Sequence, residues 1–424
     1  MKRRDFIKYG TLSVGALSLC GTDVIAASHA GPGRRRIVVV GGGFGGMTAA
    51  RYAKLLDPSV EVILVEKNPK FVSCPISNWV IGGMRTMDDI TFDYQGLTAR
   101  GIKVVQDEIV GIDAKAAQVI GKKGKIEYDR LIISPGIGFR YDGIEGFDKA
   151  AKEAMPHAYK AGPQTLQLRQ ELEAMTPGGT VLMRVPDGAY RCPPGPYERA
   201  SLIANYLKKH KKGSRLIILD PHKDIASKGK LFHQAWDDYY SDLIEFRTEE
   251  VIASVDGKRK IVSTYEKEYR ADVVNFIPDQ QAGDLAFACG LVPEKKLWAP
   301  VDPITFESTL IPGVQVIGDA TDTKTSGPMP KSGFVANSMG KVAAAAAIAL
   351  MDGKAPALPS FANTCYSMVN ETEAIYITGV FKHDVATAMN IKIAEASKPS
   401  SDRSVLYGLH AMDWAKSIWS DMLS

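Results

Sequence analysis

The sequence predicts an α/β protein with two Rossmann-like βαβ halves and a small α/β piece at its C-terminal end. Three observations carry that expectation. Residues 36–66 run as strand, glycine loop, helix, strand and acid. The same strand–helix–strand rhythm returns over residues 179–220. With 424 residues, 45% of them hydrophobic and 24% charged, the chain has the ordinary composition of a globular protein of two or three domains. The charge balance, 52 Lys+Arg against 48 Asp+Glu, leaves +4 without a basic cluster, which argues against nucleic acid as the main partner. Five cysteines are too few for a disulfide scaffold, so each needs its own explanation. No stretch of the expected mature chain reads as an uninterrupted run of about 18 apolar residues, so no transmembrane segment is expected.

Residues 1–30 read as an address. A basic start with paired Arg3 and Arg4, then Phe6, Ile7 and Lys8, a mild apolar stretch from Thr11 to Cys20 and small residues up to Ala30 make an export signal of the twin-arginine kind. Cleavage near Ala30 would remove Cys20 and deliver the folded chain to the periplasm, an oxidising compartment. The remainder divides into 31–145 with 300–352 as a first nucleotide-binding domain, 146–299 as a second, and 353–424 as a C-terminal interface domain.

The elements follow in order. Arg36–Val40 is a short β-branched run, a buried strand. In the loop that follows, Gly41 permits the tight turn, Gly43 lets a pyrophosphate approach the backbone, and Gly46 lets helix and sheet pack closely. A helix from Met47 to Leu56 offers its N-terminal N–H groups to phosphates. A strand over residues 60–66 ends in Glu66, placed to accept hydrogen bonds from ribose hydroxyls. Residues 128–136, ending in Ser134, Pro135 and Gly136, and residues 314–320, containing Gly318 and Asp319, resemble the later motifs of two-dinucleotide-domain flavoproteins of the glutathione-reductase-like fold. In that likeness the aspartate bonds a ribityl chain, so the dinucleotide is expected to be FAD. Lys331, Ser332 and Gly333 open a small-residue helix through Ala349, its dipole directed at the pyrimidine end of the flavin.

The second half lacks the nucleotide loop. Between the strand at 179–185 and the helix Tyr197–Lys209 stand Pro186, Pro193, Pro194 and Pro196 with bulky neighbours. Prolines remove N–H donors and keep a pyrophosphate off the backbone, so NAD(P)H is not expected to bind. Cys192 precedes the helix that starts near Pro196, where the helix dipole is expected to lower its thiol pKa. Glu198 lies in that helix's first turn and could move protons, or simply favour a helix start. Cys289 reads as a buried helical cysteine. His410 to Leu423 reads as a helix, with Trp414 and Trp419 as core or interface anchors.

Four segments are specific enough to carry a resemblance: residues 73–83 around Cys74, residues 191–199 around Cys192 and Glu198, residues 331–341, and residues 364–367 around Cys365. On these, the chain resembles the flavoprotein subunit of flavocytochrome c sulfide dehydrogenase and the similar flavoproteins of sulfur-oxidation systems. The resemblance implies FAD held through a thioether at Cys74, a redox disulfide between Cys192 and Cys365 beside the flavin, and Glu198 as acid/base. It implies a small inorganic sulfur substrate and a c-type cytochrome partner. No Cys-x-x-Cys-His occurs, so the haem belongs on that partner chain. Ala299 stands where some members carry a further cysteine. Two other readings remain: a sulfide:quinone oxidoreductase, and a non-catalytic FAD-binding partner in a sulfur-oxidation complex.

Overall fold

A computed structural model describes residues 35–424; the export signal expected over residues 1–30 lies outside them. The β-branched runs become two parallel sheets. In the first, the strands order as 314–316, 130–133, 36–40, 61–66 and 103–106, all parallel. Ile37, Val38, Val39 and Leu64 are fully buried, the pattern of a sheet covered on both faces. The chain therefore leaves the first sheet after residue 133 and returns to it at Val314. In the second, the order is 244–247, 215–219, 180–184 and 273–276, again parallel. An antiparallel pair, Ile137–Arg140 with Asp279–Ala282, joins the two halves.

The helices begin earlier than the sequence suggested. The glycine-loop helix is Phe44–Leu56, the second-half helix Gly195–His210, and the last helix Val405–Leu423, where Ser404 Oγ accepts from Leu406 N. The cap, not the apolar periodicity, sets that last boundary. Cys365 lies within a strand, Ser360–Met368, that pairs along its whole length with Ala374–Asp384; Met389–Lys392 completes this C-terminal sheet. Cys289 is buried just past the helix Asp284–Ala288, and burial pushes its thiol up to about 12.

By length and composition alone the helix Gly333–Met351 could cross a bilayer, although no membrane span was expected from the sequence. Here its Val335, Met339, Ala343 and Ala347 face the core. Gly340 explains the close packing against Phe44–Leu56, because a Cβ there would lie 2.5 Å from the Gly45 carbonyl oxygen.

Candidate active site

The glycine loop is built as the spacing demands. Gly41 has φ +105°, and a Cβ on it would sit 2.3 Å from the Ser134 carbonyl oxygen. A Cβ on Gly46 would come within 1.8 Å of the Gly41 carbonyl oxygen, so strand and helix touch here through backbone alone. Above Gly43 nothing lies within 4 Å. Glu66 closes the loop: its Oε2 accepts from Gly42 N at 2.6 Å and its Oε1 from Asn68 N at 2.8 Å. Gly136 takes φ +66°, and its carbonyl accepts from Gly283 N.

Next to this loop lies a cleft of about 100 Å³. Cys74, Cys192, Cys365 and Glu198 all line it, with Arg191, Tyr159, Phe334, Tyr366 and Trp414. A second cleft of about 310 Å³ reaches Cys365 as well, between Pro193, Pro194, Met329, Ile377 and Phe381. The four described cysteines are free thiols.

Cys192 is held in the left-handed region, φ +55°, with its N–H donating to the Lys331 carbonyl at 2.7 Å. Its own carbonyl accepts from Gly195 N and from the Tyr159 hydroxyl. Ile76, beside Cys74, is also left-handed at φ +75°. A β-branched residue in that region is an outlier, and such strain collects at functional sites. The expected lowering of the Cys192 thiol is overturned: burial raises it, as do the neighbouring Cys365 and Glu198, while Lys228 and Arg191 oppose the rise. Desolvation outweighs what a helix start can offer.

Glu198 is half-buried on the cleft wall, and desolvation raises its carboxyl. Three donors hold it: Asn78 Nδ2 at 2.9 Å on Oε2, Trp79 Nε1 at 3.3 Å and Met368 N at 3.0 Å on Oε1. Asn78 is locked in turn, since its Oδ1 accepts from Arg199 Nε at 3.0 Å and its Nδ2 also donates to the Gly195 carbonyl. Arg199 is buried and bonded further to the His157 and Ala158 carbonyls and to Asn275. The glutamate is thus fixed by elements from all three parts of the chain, with capacity left on Oε2 for a further partner.

Lys331 has its side chain turned to the protein itself. Its Nζ donates to the Asp319 and Thr321 carbonyls and sits 3.6 Å from the Trp298 ring centre. Ser332 caps the following helix through Val335 N and donates to Asn363 Oδ1. Cys74 Sγ accepts from Ala161 N at 3.3 Å.

Two unmatched polar groups fit a bound flavin dinucleotide. The Asp319 carboxylate is buried and accepts no hydrogen bond among the described residues; Arg191 is 3.9 Å away. It is an acceptor awaiting hydroxyl donors. The Trp414 indole N–H is a buried donor without a partner on the wall of the cleft. A buried polar group without a partner is costly, and a ligand can supply it. The sequence had left Trp414 between core and interface; Trp419 is core, its N–H donating to Ser73 Oγ.

The second nucleotide-type half is closed. Asp220, where a dinucleotide domain keeps its ribose acid, is fully buried and accepts from the Tyr197 hydroxyl at 2.6 Å and from His222 N.

Fold and site together define a flavoprotein of the two-dinucleotide-domain, disulfide-oxidoreductase class, with FAD as its cofactor. Three family descriptions match: pyridine nucleotide-disulphide oxidoreductase over residues 35–173; sulfide dehydrogenase [flavocytochrome c] flavoprotein chain, central, over 165–278; and flavocytochrome c sulphide dehydrogenase, flavin-binding, over 357–423. The chain belongs to the family of flavocytochrome c sulfide dehydrogenase flavoprotein chains. A flavoprotein chain of that name from Chlorobaculum thiosulfatiphilum is 58% identical over 48 residues, 11% of this chain and 100% of that sequence. The mitochondrial sulfide:quinone oxidoreductase of Mus musculus is 24% identical over 76% of this chain and 72% of its own. The structure of the sulfide:quinone oxidoreductase of Aquifex aeolicus has the same fold, with TM-score 0.74 and 18% identity over 92% of this chain and 91% of that one.

Proposed function

We propose that this chain is an exported, periplasmic FAD-dependent oxidoreductase that oxidises sulfide or sulfane sulfur through a Cys192–Cys365 redox pair and passes the electrons to a c-type cytochrome partner. The observation that carries the reading is the single cleft in which Cys192, Cys365 and the carboxyl of Glu198 meet Cys74 and the flavin-side residues.

The chemistry balances on the chain's own sulfurs. Hydrosulfide attacks one sulfur of the oxidised pair; the S–S bond breaks, leaving a persulfide on one cysteine and a thiolate on the other. Loss of two electrons and one proton restores the bridge and releases one sulfane sulfur. Bound FAD would supply the two-electron acceptance and the one-electron release that a haem requires. Glu198, fixed by three donors beside the pair, takes and returns the proton. Residues 41–46, Glu66 and Asp319 hold the dinucleotide, and Cys74 anchors it covalently. The closed loop after Arg184 and the occupied Asp220 support the absence of NAD(P)H chemistry. Anaerobic titration with sulfide tests the proposal: the wild type should lose flavin absorbance stoichiometrically, and Cys192→Ser should not. Equal bleaching of both would show that the pair is not the entry point for electrons.

A second reading, quinone as acceptor, is favoured by the exposed Val405, Leu406 and Leu409 at the start of the last helix, an apolar edge suited to a membrane surface. Reduced protein offered cytochrome c or a soluble quinone in turn separates the two by which one reoxidises the flavin faster.

A further inference from the structure

Lys228 is a buried cation bonded to the Cys365 strand whose role the reaction above does not assign. It precedes the helix Gly229–Tyr240 and adopts φ +62°, a left-handed conformation that costs a non-glycine residue energy. A glycine or asparagine would take that corner more cheaply. What the strain achieves is direction: the side chain is buried, and its Nζ donates to the Cys365 carbonyl at 3.0 Å and to Ser367 Oγ at 2.8 Å. It thus ties the central half of the chain to the C-terminal strand, across the seam that separates Cys192 from Cys365. An ammonium has three N–H donors. The third has no partner among the described residues; the nearest ring, Phe232, is 5.8 Å away.

The groups facing this cation are acids from every element packed around it: Cys365 on its strand, Cys192 in the preceding loop and Glu198 on its helix. Arg191 is the other cation acting on Cys192, and Asn363 and Ser332 hydrogen-bond toward Cys365. Arg191 is already engaged with the Tyr159 carbonyl and lies toward Asp319. Lys228 alone acts on both thiols and on the glutamate.

Resting on the sulfur-oxidising reading above, we propose that Lys228 is a positioning residue for the cysteine pair: it clamps the Cys365 strand by two hydrogen bonds and lends its positive charge to whichever sulfur is anionic. Opening a disulfide makes a thiolate, and in a dry cleft that anion needs a nearby cation. Without it, the leaving sulfur is a poorer leaving group and exchange slows.

The test needs no sulfide. Holoenzyme with its cysteines reduced is alkylated with iodoacetamide across pH 6–10, and the rates at Cys192 and Cys365 are read separately by mass spectrometry. Lys228→Gln keeps hydrogen-bonding capacity for the Cys365 carbonyl and Ser367 but removes the charge; Lys228→Arg keeps the charge; Lys228→Met removes both. The expected result is about a tenfold lower alkylation rate near pH 7 in the Gln and Met variants, the change that one unit of thiol pKa gives, with Arg close to wild type; the comparison is made there because burial lowers the Lys228 ammonium to about 8. A wild-type profile in Lys228→Gln, with FAD retained, overturns the proposal whatever the Met variant does. A shifted alkylation profile in the variants, together with a wild type whose flavin does not bleach with sulfide, would instead count against the sulfide reading alone.

Discussion

Glu198→Gln separates the chemistry of the carboxyl from its architecture. Glutamine can still accept from Trp79 Nε1 and Met368 N through its oxygen. Its amide nitrogen, however, would face Asn78 Nδ2, which now donates to the carboxylate at 2.9 Å. Asn78 cannot turn over to resolve the clash, because its oxygen accepts from buried Arg199 and its nitrogen also serves the Gly195 carbonyl. One buried hydrogen bond is lost and two donors oppose each other, a cost of about 1–3 kcal/mol. The loss should show as a melting temperature lowered by a few degrees. Adding Asn78→Asp gives the glutamine nitrogen an acceptor and keeps one for Arg199, so much of that stability should return, short of the bond to Gly195. Activity should not return. Removing a positioned acid/base costs about 10²–10⁴-fold in rate, and the double variant still has no group at 198 able to exchange a proton.

The pH signs follow from desolvation. The folded carboxyl is held above the ordinary glutamate value, so the folded state keeps a proton that the unfolded chain releases. Stability from this group is full below the unfolded value of about 4.3 and is given up as pH rises through the folded one. Glutamine should flatten that part of the stability profile. Stopped-flow reduction of the flavin by sulfide, followed across pH, is the assay. A single variant with wild-type rate and wild-type pH profile would refute the acid/base role, and one with an unchanged melting temperature would refute the donor clash.

Gly46→Ala puts a methyl within 1.8 Å of the Gly41 carbonyl oxygen, backbone that cannot step aside. The helix must retreat at an overpacking cost of about 1–3 kcal/mol or more, and the purified variant should carry much less FAD per chain, read from the 450-to-280 nm absorbance ratio. For Cys74→Ser, acid precipitation should leave the flavin in the supernatant, whereas the wild-type pellet stays yellow; a colourless wild-type pellet would end the covalent assignment.

The first half of the site was legible because its signals are local. A glycine loop, its flanking strands and the acid at Glu66 all fall within about thirty residues, and the physics that ties them together is backbone physics. Cys74, Cys192 and Cys365 were legible as residues worth explaining, and the cleft brings all three together. What could not be read was the company they keep. Lys228 meets the Cys365 carbonyl across 137 positions, and Arg199 meets Asn78 across 121. No spacing encodes such pairs. The thiol of Cys192 was misjudged for a related reason: the helix start is visible in sequence, but the desolvation that dominates it is a property of the assembled cleft. The strand that carries Cys365 escaped notice because its inward positions include Asn363 and Ser367, buried polar residues that break the usual apolar alternation. Trp414 was left undecided because an unsatisfied indole N–H is a fact of three dimensions.

Cys365 borders both clefts. Residue Cys365 is therefore shared by two chambers, one with the flavin-side residues and one walled by prolines, methionine and phenylalanine. A reactive centre built into such a wall has two doors. Under the proposed sulfur chemistry, cargo arriving through one could depart through the other without backing out past the cofactor.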